Sequence, residues 1–382
     1  PQMRFTPEHE LLRQSIKRLV ETEIAPHVDA WEEEGIFPAH ELFPKLGRAG
    51  ILGITKPVEY GGQGLDYSYS LVYAEEIGRI KCSGLSTAIG VQTDMATPAL
   101  ARYGSESLKR EFLVPAIAGE CVTSIAVSEV GAGSDVASIK TTARRDGDDY
   151  IINGSKMWIT NGTQSDWLCL LCNTGSDNAP HRNKSLIVVP TNTPGVSIGK
   201  RLNKLGARSS DTAPIYLDEV RVPVRHRIGE EGMGFIYLMS QLPQERLSIA
   251  VSTHASAQKA FDDTVAFVKE RKAFKGTVFD FQNTRFRLAD MATTVDVMWA
   301  YNDRAMMLYK DKKLTAEEAA KVKFWSTDRE AELLDVGVQL HGGYGYITEY
   351  PIARLYADTR VSRIYGGTNE VMKTIIAKDL GL

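Results

Sequence analysis

The hydrophobic period of this chain changes twice, and each change predicts a domain boundary. Up to about residue 120, apolar residues recur every three or four positions, as they do on one face of a helix. Between about 121 and 230 they fall in short β-rich runs separated by Gly, Pro, Asn and Asp, which is typical of strands and turns. From about 231 the helical period returns. The sequence therefore predicts an α+β multidomain protein with an N-terminal helical domain (1–120), a middle β-barrel or sandwich domain (121–230) and a C-terminal four-helix bundle (231–382).

A few residues mark where individual elements begin and turn. Thr6, which precedes a proline, predicts a helix start, and Thr315 with Glu318 has the spacing of a capping box. Asn153-Gly154 predicts a tight hairpin turn. Further helices are expected over 41–46, 70–77, 106–117, 235–271, 281–309 and 369–378, and strands over 122–127, 140–144, 150–152, 168–171, 186–189, 215–217 and 220–222.

Composition argues against several classes of protein. The 382 residues carry a formal net charge of −3 without a long Lys/Arg run, so neither nucleic acid nor an anionic membrane surface is an expected partner. No apolar run reaches the length of a membrane span, and the first residues lack the basic-then-apolar order of a secretion signal. We therefore expect a protein that is not secreted and has no membrane span.

Two short motifs do not predict the sites that they first suggest. Cys169 and Cys172 form a C-x-x-C inside a strand-like run, where positions three apart face opposite sides of the sheet. No second pair or His cluster accompanies them, so no metal site is expected. Gly131 and Gly133 lack the third glycine and the following amphipathic helix of a Rossmann site.

The stretch from Ser124 to Gly162 is the strongest candidate for a ligand site. Small and hydroxyl residues beside a glycine turn offer backbone N–H groups and short side-chain donors to a polar ligand. Trp158 adds a flat apolar wall, so a planar ring with many acceptors, such as a flavin, would fit. The alternative is a β-hairpin whose Trp158 only fills a core.

Five motifs in order extend this interpretation to almost the whole chain. They are Ala126 to Asp135, Lys156 to Gly162, Glu270 to Phe274, Gln339 to Gly345 and Tyr365 to Glu370. In this order and in a chain of this length, they closely resemble the acyl-CoA dehydrogenase family of flavoproteins. The closest resemblance is to the long-chain, isovaleryl and citronellyl-CoA dehydrogenase-like branch.

The resemblance implies FAD as the cofactor and assigns residues to it. Val127 and Ser128 would lie along the edge of the flavin ring, Trp158 and Thr160 would pack on its face and near N5, and Ser134 would lie near the cofactor and the acyl-CoA. The rest of the FAD would be held by residues of a neighbouring subunit and of the last motif: Arg271, Phe274, Gln282, Gln339, Gly342, Gly343, Thr368 and Glu370. Glycines let the backbone approach a pyrophosphate, and an Arg offers a charge-assisted donor.

One departure from the family pattern decides the catalytic residue. Many members carry the catalytic glutamate at the position of Gly366, whereas the branch named above supplies it from the long helix that opens the C-terminal domain, immediately before an Arg. We therefore predict Glu245 as the base, and Arg246, Gly366 and Gly367 as substrate-binding residues. The alternative is that Glu245 is a solvent-facing acid near a helix start.

The resemblance also implies the reaction and its partners. An acyl-CoA thioester, medium-chain, long-chain or methyl-branched, would lose its α-proton to Glu245 and its β-hydride to flavin N5, giving the trans-2-enoyl-CoA. Absence of a side chain at Gly366 would leave room for a methyl branch. An electron-transfer flavoprotein would reoxidise the flavin of a homotetramer, in the cytoplasm of a bacterium or the mitochondrial matrix of a eukaryote. Alternatives are an acyl-CoA oxidase, a non-catalytic flavin- or acyl-binding homologue, and an enzyme acting on acyl carrier protein.

Overall fold

The computed structural model describes residues 5–175 and 179–382, and its first part is built from helices. Thr6 caps the first helix as predicted, because its hydroxyl accepts the backbone N–H of His9 while His9 Nδ1 accepts the N–H of Thr6. The helices of this part are α1 (Pro7–Leu19), α2 (Val28–Glu34), α3 (Ala39–Arg48), α4 (Tyr67–Gly78), α5 (Ser83–Gly90), α6 (Pro98–Tyr103), α7 (Glu106–Leu108) and α8 (Val114–Ala118). Wider π-helical turns continue three of them over Val20–Ile24, Val91–Ala96 and Lys109–Leu113.

The middle part is a mixed eight-stranded sheet in the described part of the chain. Its strands are β1 (Thr123–Ala126), β2 (Thr142–Asp146), β3 (Asp149–Thr160), β4 (Trp167–Asn173), β5 (Lys184–Pro190), β6 (Val196–Ile198), β7 (Thr212–Pro223) and β8 (Arg227–Ile228). The strand order is β6-β7-β3-β2-β4-β5-β8, and β1 pairs in parallel with β4.

The two faces of this sheet belong to different hydrophobic cores. Along β4, Cys169 packs in the cluster shared with the N-terminal helices, whereas Cys172 packs with residues of β3 and β7 on the other face. Both cysteines are buried and free, and they lie on opposite sides as their spacing predicts. One face of the sheet therefore packs against the N-terminal helices, and the other face lines a core formed by the strands themselves.

The predicted hairpin turn at Asn153-Gly154 is wrong. Both residues lie inside β3, where the pairing with β7 shifts by one residue between Ile152 and Gly154. The extra residue lies in β7, where Glu219 has φ +48° and its N–H donates to Asn153 Oδ1 at 2.8 Å. The asparagine thus holds a β-bulge instead of a turn, and the two predicted strands over 215–217 and 220–222 are one strand. The chain reverses at Gly147, at φ +62°, between β2 and β3.

The last part is again helical and is dominated by one long helix. Its helices are α9 (Gly234–Glu270), α10 (Gln282–Lys310), α11 (Ala316–His341), α12 (Pro351–Thr359) and α13 (Asn369–Asp379), and a short ribbon of β9 (Lys272–Ala273) and β10 (Gly276–Thr277) follows α9. Thr315 caps α11 as predicted, accepting the N–H of Glu318 at 3.1 Å.

Helix α9 joins the N-terminal helices to the C-terminal bundle. In its first half, Leu247 and Val251 share a core with Leu71 of α4. In its second half, Ala257 and Val268 share a core with residues of α10, α11 and α12. The predicted fold class is confirmed: helical, mixed sheet, helical. The boundaries at 120/121 and 230/231 stay predictions.

Two other kinds of feature are absent among the described residues. No helix among them is long and apolar enough to cross a membrane. No group of three or more His, Cys, Asp or Glu side chains within residues 5–175 and 179–382 is arranged to hold a metal ion.

Candidate active site

The predicted base, Glu245, is buried on the first half of α9. Only 7% of its surface is exposed, so it is not the solvent-facing acid of the alternative interpretation. Gln241, one turn earlier, donates its Nε2–H to Glu245 Oε1 at 2.8 Å. Burial raises the pKa of Glu245 to about 8, and the nearby Asp94 carboxylate acts in the same direction. A carboxylate with such a pKa is suited to act as a base near neutral pH.

The loop around Gly366 lies next to this end of α9. Arg246, which follows Glu245, is buried and donates its Nε–H to the Gly366 carbonyl at 3.0 Å. Gly366 and Gly367 have φ values of +67° and +85°, which only glycine adopts at little cost. Among the described residues, no acceptor contacts the Gly366 N–H. The predicted substrate-binding residues Arg246, Gly366 and Gly367 are thus neighbours.

The room expected at Gly366 is partly filled. A Cβ added to Gly366 would meet Ile249 Cδ1 at 2.7 Å, closer than van der Waals contact allows. Ile249 lies on α9 one turn after Glu245. A side chain at 366, or a branch of a substrate in the same space, therefore requires Ile249 to change rotamer.

Two buried residues that sequence reasoning missed fix the loop. Lys323 of α11 is fully buried, and its ammonium donates to the Gly367 carbonyl at 2.9 Å and to Asn369 Oδ1 at 2.8 Å. Asn369 in turn donates to Thr327 Oγ1 at 2.9 Å. Thr368 Oγ1 caps α13, and Glu370 is exposed in its first turn. The asparagine of the last motif was the available signal, but nothing in the sequence ties it to Lys323.

Four of the predicted FAD residues lie at the ends of β1 and β3, and we call them the flavin-edge group. Val127 and Ser128 directly follow β1, and Trp158 and Thr160 belong to the end of β3. The Met157 N–H donates to the Ser128 carbonyl at 2.8 Å, and the Ser124 hydroxyl donates to the Thr160 carbonyl at 2.8 Å. These bonds join the end of β1 to the end of β3.

Trp158 is held outside the core by its backbone. It sits in a bulge of β3 between Lys156 and Ile159, with φ +65° and 61% of its surface exposed. A positive φ is an outlier for a bulky residue and costs about 1–2 kcal/mol, so an exposed Trp in this conformation points to a ligand. The alternative of a Trp that only fills a core is excluded.

A buried ion pair anchors the flavin-edge group. The Lys156 ammonium donates to Glu129 Oε2 at 2.7 Å and to the Val127 carbonyl at 2.9 Å. Glu129 also accepts the N–H of Lys140 at 2.6 Å and the hydroxyl of Thr141 at 2.7 Å. The pair closes the loop over 127–141, in which Ser134 is exposed.

The predicted residues at the far end of α9, here called the α9-end group, form a second exposed cluster. The Arg271 guanidinium stacks over the Tyr344 ring at 5.0 Å, beside the turn that contains Gly342 and Gly343. The Phe274 ring, 96% exposed, contacts the Phe281 ring at 5.7 Å, next to the start of α10. The group consists of Arg271, Phe274, Gln282, Gln339, Gly342 and Gly343.

Within one chain, Glu245 and the α9-end group lie far apart. Arg271, the residue directly after α9, follows Glu245 by 26 positions, which corresponds to roughly 39 Å at 1.5 Å per residue. Thr368 and Glu370 begin α13, next to the Gly366 loop and hence at the Glu245 end. The structure therefore separates the predicted FAD residues into two sets.

Glu245 lines a cavity of about 270 Å³, and the other charged residues of this cavity were not predicted. Lys56 and Asp94 both line it, and Lys56 Nζ donates to the Thr93 carbonyl at 2.7 Å. Burial lowers the pKa of Lys56 to about 8 and raises that of Asp94 to about 6. Arg102 lies at the same cavity. We call this space the base cavity.

Comparison with known proteins identifies the family. The sequence matches the descriptions "Acyl-CoA dehydrogenase, N-terminal domain" over residues 6–120, "middle domain" over 124–220 and "C-terminal domain" over 232–381. It is 39% identical over 378 residues to a mitochondrial long-chain specific acyl-CoA dehydrogenase of Sus scrofa, covering 98% of this chain and 87% of that protein.

Solved structures of the same family share the fold over the whole chain. A crystal structure of an acyl-CoA dehydrogenase from Geobacillus kaustophilus is 41% identical, with a TM-score of 0.95 and complete coverage of both chains. A glutaryl-CoA dehydrogenase from Mycobacterium smegmatis, in complex with FADH2, is 27% identical, with a TM-score of 0.91 and coverage of 98% and 95%. Matches to all three domains and identities near 40% over the full length leave one conclusion: the chain belongs to the acyl-CoA dehydrogenase family, the flavoprotein oxidoreductases that act on CH–CH bonds.

Proposed function

We propose that this FAD-dependent acyl-CoA dehydrogenase oxidises an acyl-CoA to the trans-2-enoyl-CoA with Glu245 as the base. The observation that carries the proposal is a buried carboxylate of raised pKa beside the Gly366 loop. The resemblance adds that many members of the family have a glutamate at the position of this glycine. Glu245 removes the proton from Cα of the thioester. FAD, when bound, accepts the hydride from Cβ and retains the electron pair until an acceptor takes it.

The enolate that forms as the proton leaves needs a hydrogen-bond donor. The Gly366 N–H is a suitable one, since no acceptor among the described residues contacts it. Arg246 and Lys323 hold the two carbonyls that follow this N–H, those of Gly366 and Gly367, at 3.0 and 2.9 Å. These bonds keep the N–H in place, so little reorganisation is needed as the negative charge develops on the thioester oxygen.

The flavin-edge group fits the ring of FAD. Trp158 offers an exposed apolar face, and the ends of β1 and β3 bring Val127, Ser128 and Thr160 beside it. Thr368 and Glu370 would contact FAD from the start of α13, and Ser134 would lie between the cofactor and the acyl-CoA. Arg246, Gly366 and Gly367 would bind the substrate.

The α9-end group would serve the FAD of a neighbouring subunit. The argument is distance: Arg271 is roughly 39 Å along α9 from Glu245, too far for one chain to offer both to one cofactor. Phe274, 96% exposed and at φ +57°, lacks cover within its own chain. We therefore propose a homotetramer in which the sites are shared between subunits, with an electron-transfer flavoprotein as the acceptor.

An anaerobic spectral titration tests the proposal. The purified holoenzyme is mixed with straight and 3-methyl-branched acyl-CoAs of increasing length, and bleaching of the flavin is followed. We expect wild type to bleach, and Glu245→Gln to bind FAD and acyl-CoA but to bleach at least about a thousandfold more slowly. Asp262→Asn, an acid-to-amide change on the exposed face of α9, is the matched control and should behave as wild type. Bleaching by Glu245→Gln at the rate of the control would refute the assignment.

A further inference from the structure

A second pocket lies behind the Gly366 loop, and the proposed reaction does not use it. Its volume is about 40 Å³, which is room for roughly two or three water-sized groups. Ile249 and Tyr365 line it, and these are the residues that contact or precede Gly366. We call it the rear pocket. It continues along α9 past Thr253 to Ser256, roughly 6–16 Å beyond Glu245 at 1.5 Å per residue.

The floor of the rear pocket is a buried acid without a full set of partners. Glu330 of α11 is 2% exposed, and its Oε2 contacts no donor or acceptor in the described structure. Burial raises the pKa of Glu330 well above its ordinary range, against a smaller opposite effect of Ser256. The raised pKa favours the protonated acid, and no group in the described structure pairs with its Oε2. Such a group costs stability unless a ligand or water pairs with it.

The other walls of the rear pocket offer mainly acceptors. The hydroxyl protons of Thr87, Thr253 and Ser362 are donated to the backbone carbonyls of Ser83, Ile249 and Thr359, at 3.1, 2.7 and 2.7 Å. Their oxygens remain free to accept. A group that both accepts one hydrogen bond, from Glu330, and donates one, to these oxygens, would satisfy the pocket.

The charge of the pocket excludes an acidic occupant. Among the described residues, no Lys or Arg lines it, whereas Asp358 does. Asp358 already accepts the N–H groups of Ala207 at 2.8 Å and Ser83 at 3.1 Å. A carboxylate would face two acids without a cation, so a neutral hydroxyl fits better.

We propose that the rear pocket binds a hydroxyl group on the middle of the acyl chain and that Glu330 makes this enzyme selective for hydroxylated acyl-CoAs. Water occupies the space when the acyl chain is plain, and a substrate hydroxyl at the right carbon replaces it. A plain methylene that enters the same place displaces this water and leaves Glu330 unpaired, so the plain chain either stays out of the pocket or loses the hydrogen bond. This inference rests on the proposed function, because it takes Glu245 and Gly366 as the reacting end of the substrate.

The test measures affinity separately from turnover. Dissociation constants are determined by calorimetry for holoenzyme carrying Glu245→Gln, with a plain acyl-CoA and its monohydroxylated isomers, one for each mid-chain carbon. We expect one isomer to bind about five- to tenfold more tightly than the plain chain, the ratio that one net hydrogen bond supplies. Adding Glu330→Leu should abolish or reverse the ratio, and Glu330→Gln, which keeps a neutral donor, should keep most of it.

Thr264→Val is the matched control, since Thr264 is a fully buried polar residue of α9 outside the rear pocket. It should leave the ratio unchanged. Equal affinity for all isomers overturns the inference, and this result can be obtained even if Glu330→Leu fails to fold. The inference is also overturned if Glu330→Leu and Thr264→Val change the affinity ratio equally. If the enzyme with Glu245 intact bleaches with plain acyl-CoAs but the ratio is flat, the inference alone fails. If the ratio is present and no acyl-CoA bleaches the flavin, the proposed function alone fails.

Discussion

The ion pair between Lys156 and Glu129 gives a quantitative test of how the flavin edge is held. Both side chains are buried, with 0% and 8% exposure, and their atoms are 2.7 Å apart. Glu129→Ala leaves the Lys156 ammonium with the Val127 carbonyl and leaves the Lys140 and Thr141 N–H groups without their acceptor. Removing one partner of a buried pair typically costs about 3–5 kcal/mol. We therefore expect Glu129→Ala to lower the free energy of unfolding by this amount.

The loss of stability should be detectable in the loop over 127–141 before it is detectable as unfolding of the whole protein. Hydrogen exchange measured by mass spectrometry on the peptide over 127–141 should become about 10²- to 4 × 10³-fold faster, since about 1.4 kcal/mol corresponds to a factor of ten. Flavin retention should fall with it, because the same loop carries Val127 and Ser128. A double variant, Glu129→Leu with Lys156→Met, should recover part of the stability but not the bonds to the backbone.

An exposed ion pair of nearly the same length is the control. Arg221 and Asp146 are 2.8 Å apart, but each is about half exposed, at 52%. Asp146→Asn should change neither exchange nor flavin retention measurably, because solvent screens the pair. If Glu129→Ala behaved like Asp146→Asn, burial would not be what makes the Lys156 pair important, and our account of the loop would be wrong.

Three further predictions concern the site itself. Because burial and Asp94 raise the pKa of Glu245, the rate of flavin bleaching should rise with pH through about 8, and Asp94→Asn should shift this profile to lower pH; an unshifted profile would contradict the coupling. Because folding raises the pKa of Glu245, ionisation of this carboxyl opposes folding. Glu245→Gln should therefore gain thermal stability relative to wild type as pH rises from about 4.5 to about 8. A constant difference in thermal stability across that range would contradict the burial of Glu245. Gly366→Glu should not restore activity to Glu245→Gln unless Ile249 is also shortened, since its Cβ would lie 2.7 Å from Ile249 and its φ of +67° costs about 1–2 kcal/mol; turnover by the variant with Ile249 intact would refute this.

Local sequence patterns were enough to predict the helices and strands but not the irregularities within them. The cap at Thr6 follows from a hydroxyl residue before a proline, and the cap at Thr315 follows from the spacing of a hydroxyl and an acid within one turn. The fold class follows from the two changes of hydrophobic period. The turn prediction at Asn153 was wrong because the same side chain that favours a hairpin turn can also hold a β-bulge. Which of the two forms depends on Glu219, 66 positions away. Only the pairing of β3 with β7 decides between them.

The candidate site divides in the same way. Glu245 was predicted as the base because the family pattern leaves the position of Gly366 without a glutamate, and this assignment stays a prediction. The burial of Glu245 depends on packing, which the sequence pattern does not describe. The partners Lys56, Asp94 and Lys323 escaped because a charged residue in a sequence is by default a surface residue. Lys323 meets the Gly367 carbonyl across 44 positions, and no periodicity carries that information.

The length of α9 has a genetic consequence. If one chain supplies Glu245 to its own site and Arg271 to that of a neighbour, the two residues belong to different sites of the assembly. A chain with Glu245→Gln and a chain with Arg271→Ala would each be inactive alone, yet a mixed assembly would contain sites built from the intact half of each. In an equal mixture that assembles at random, about one site in four would be complete. Two alleles that fail separately would then complement each other when expressed together.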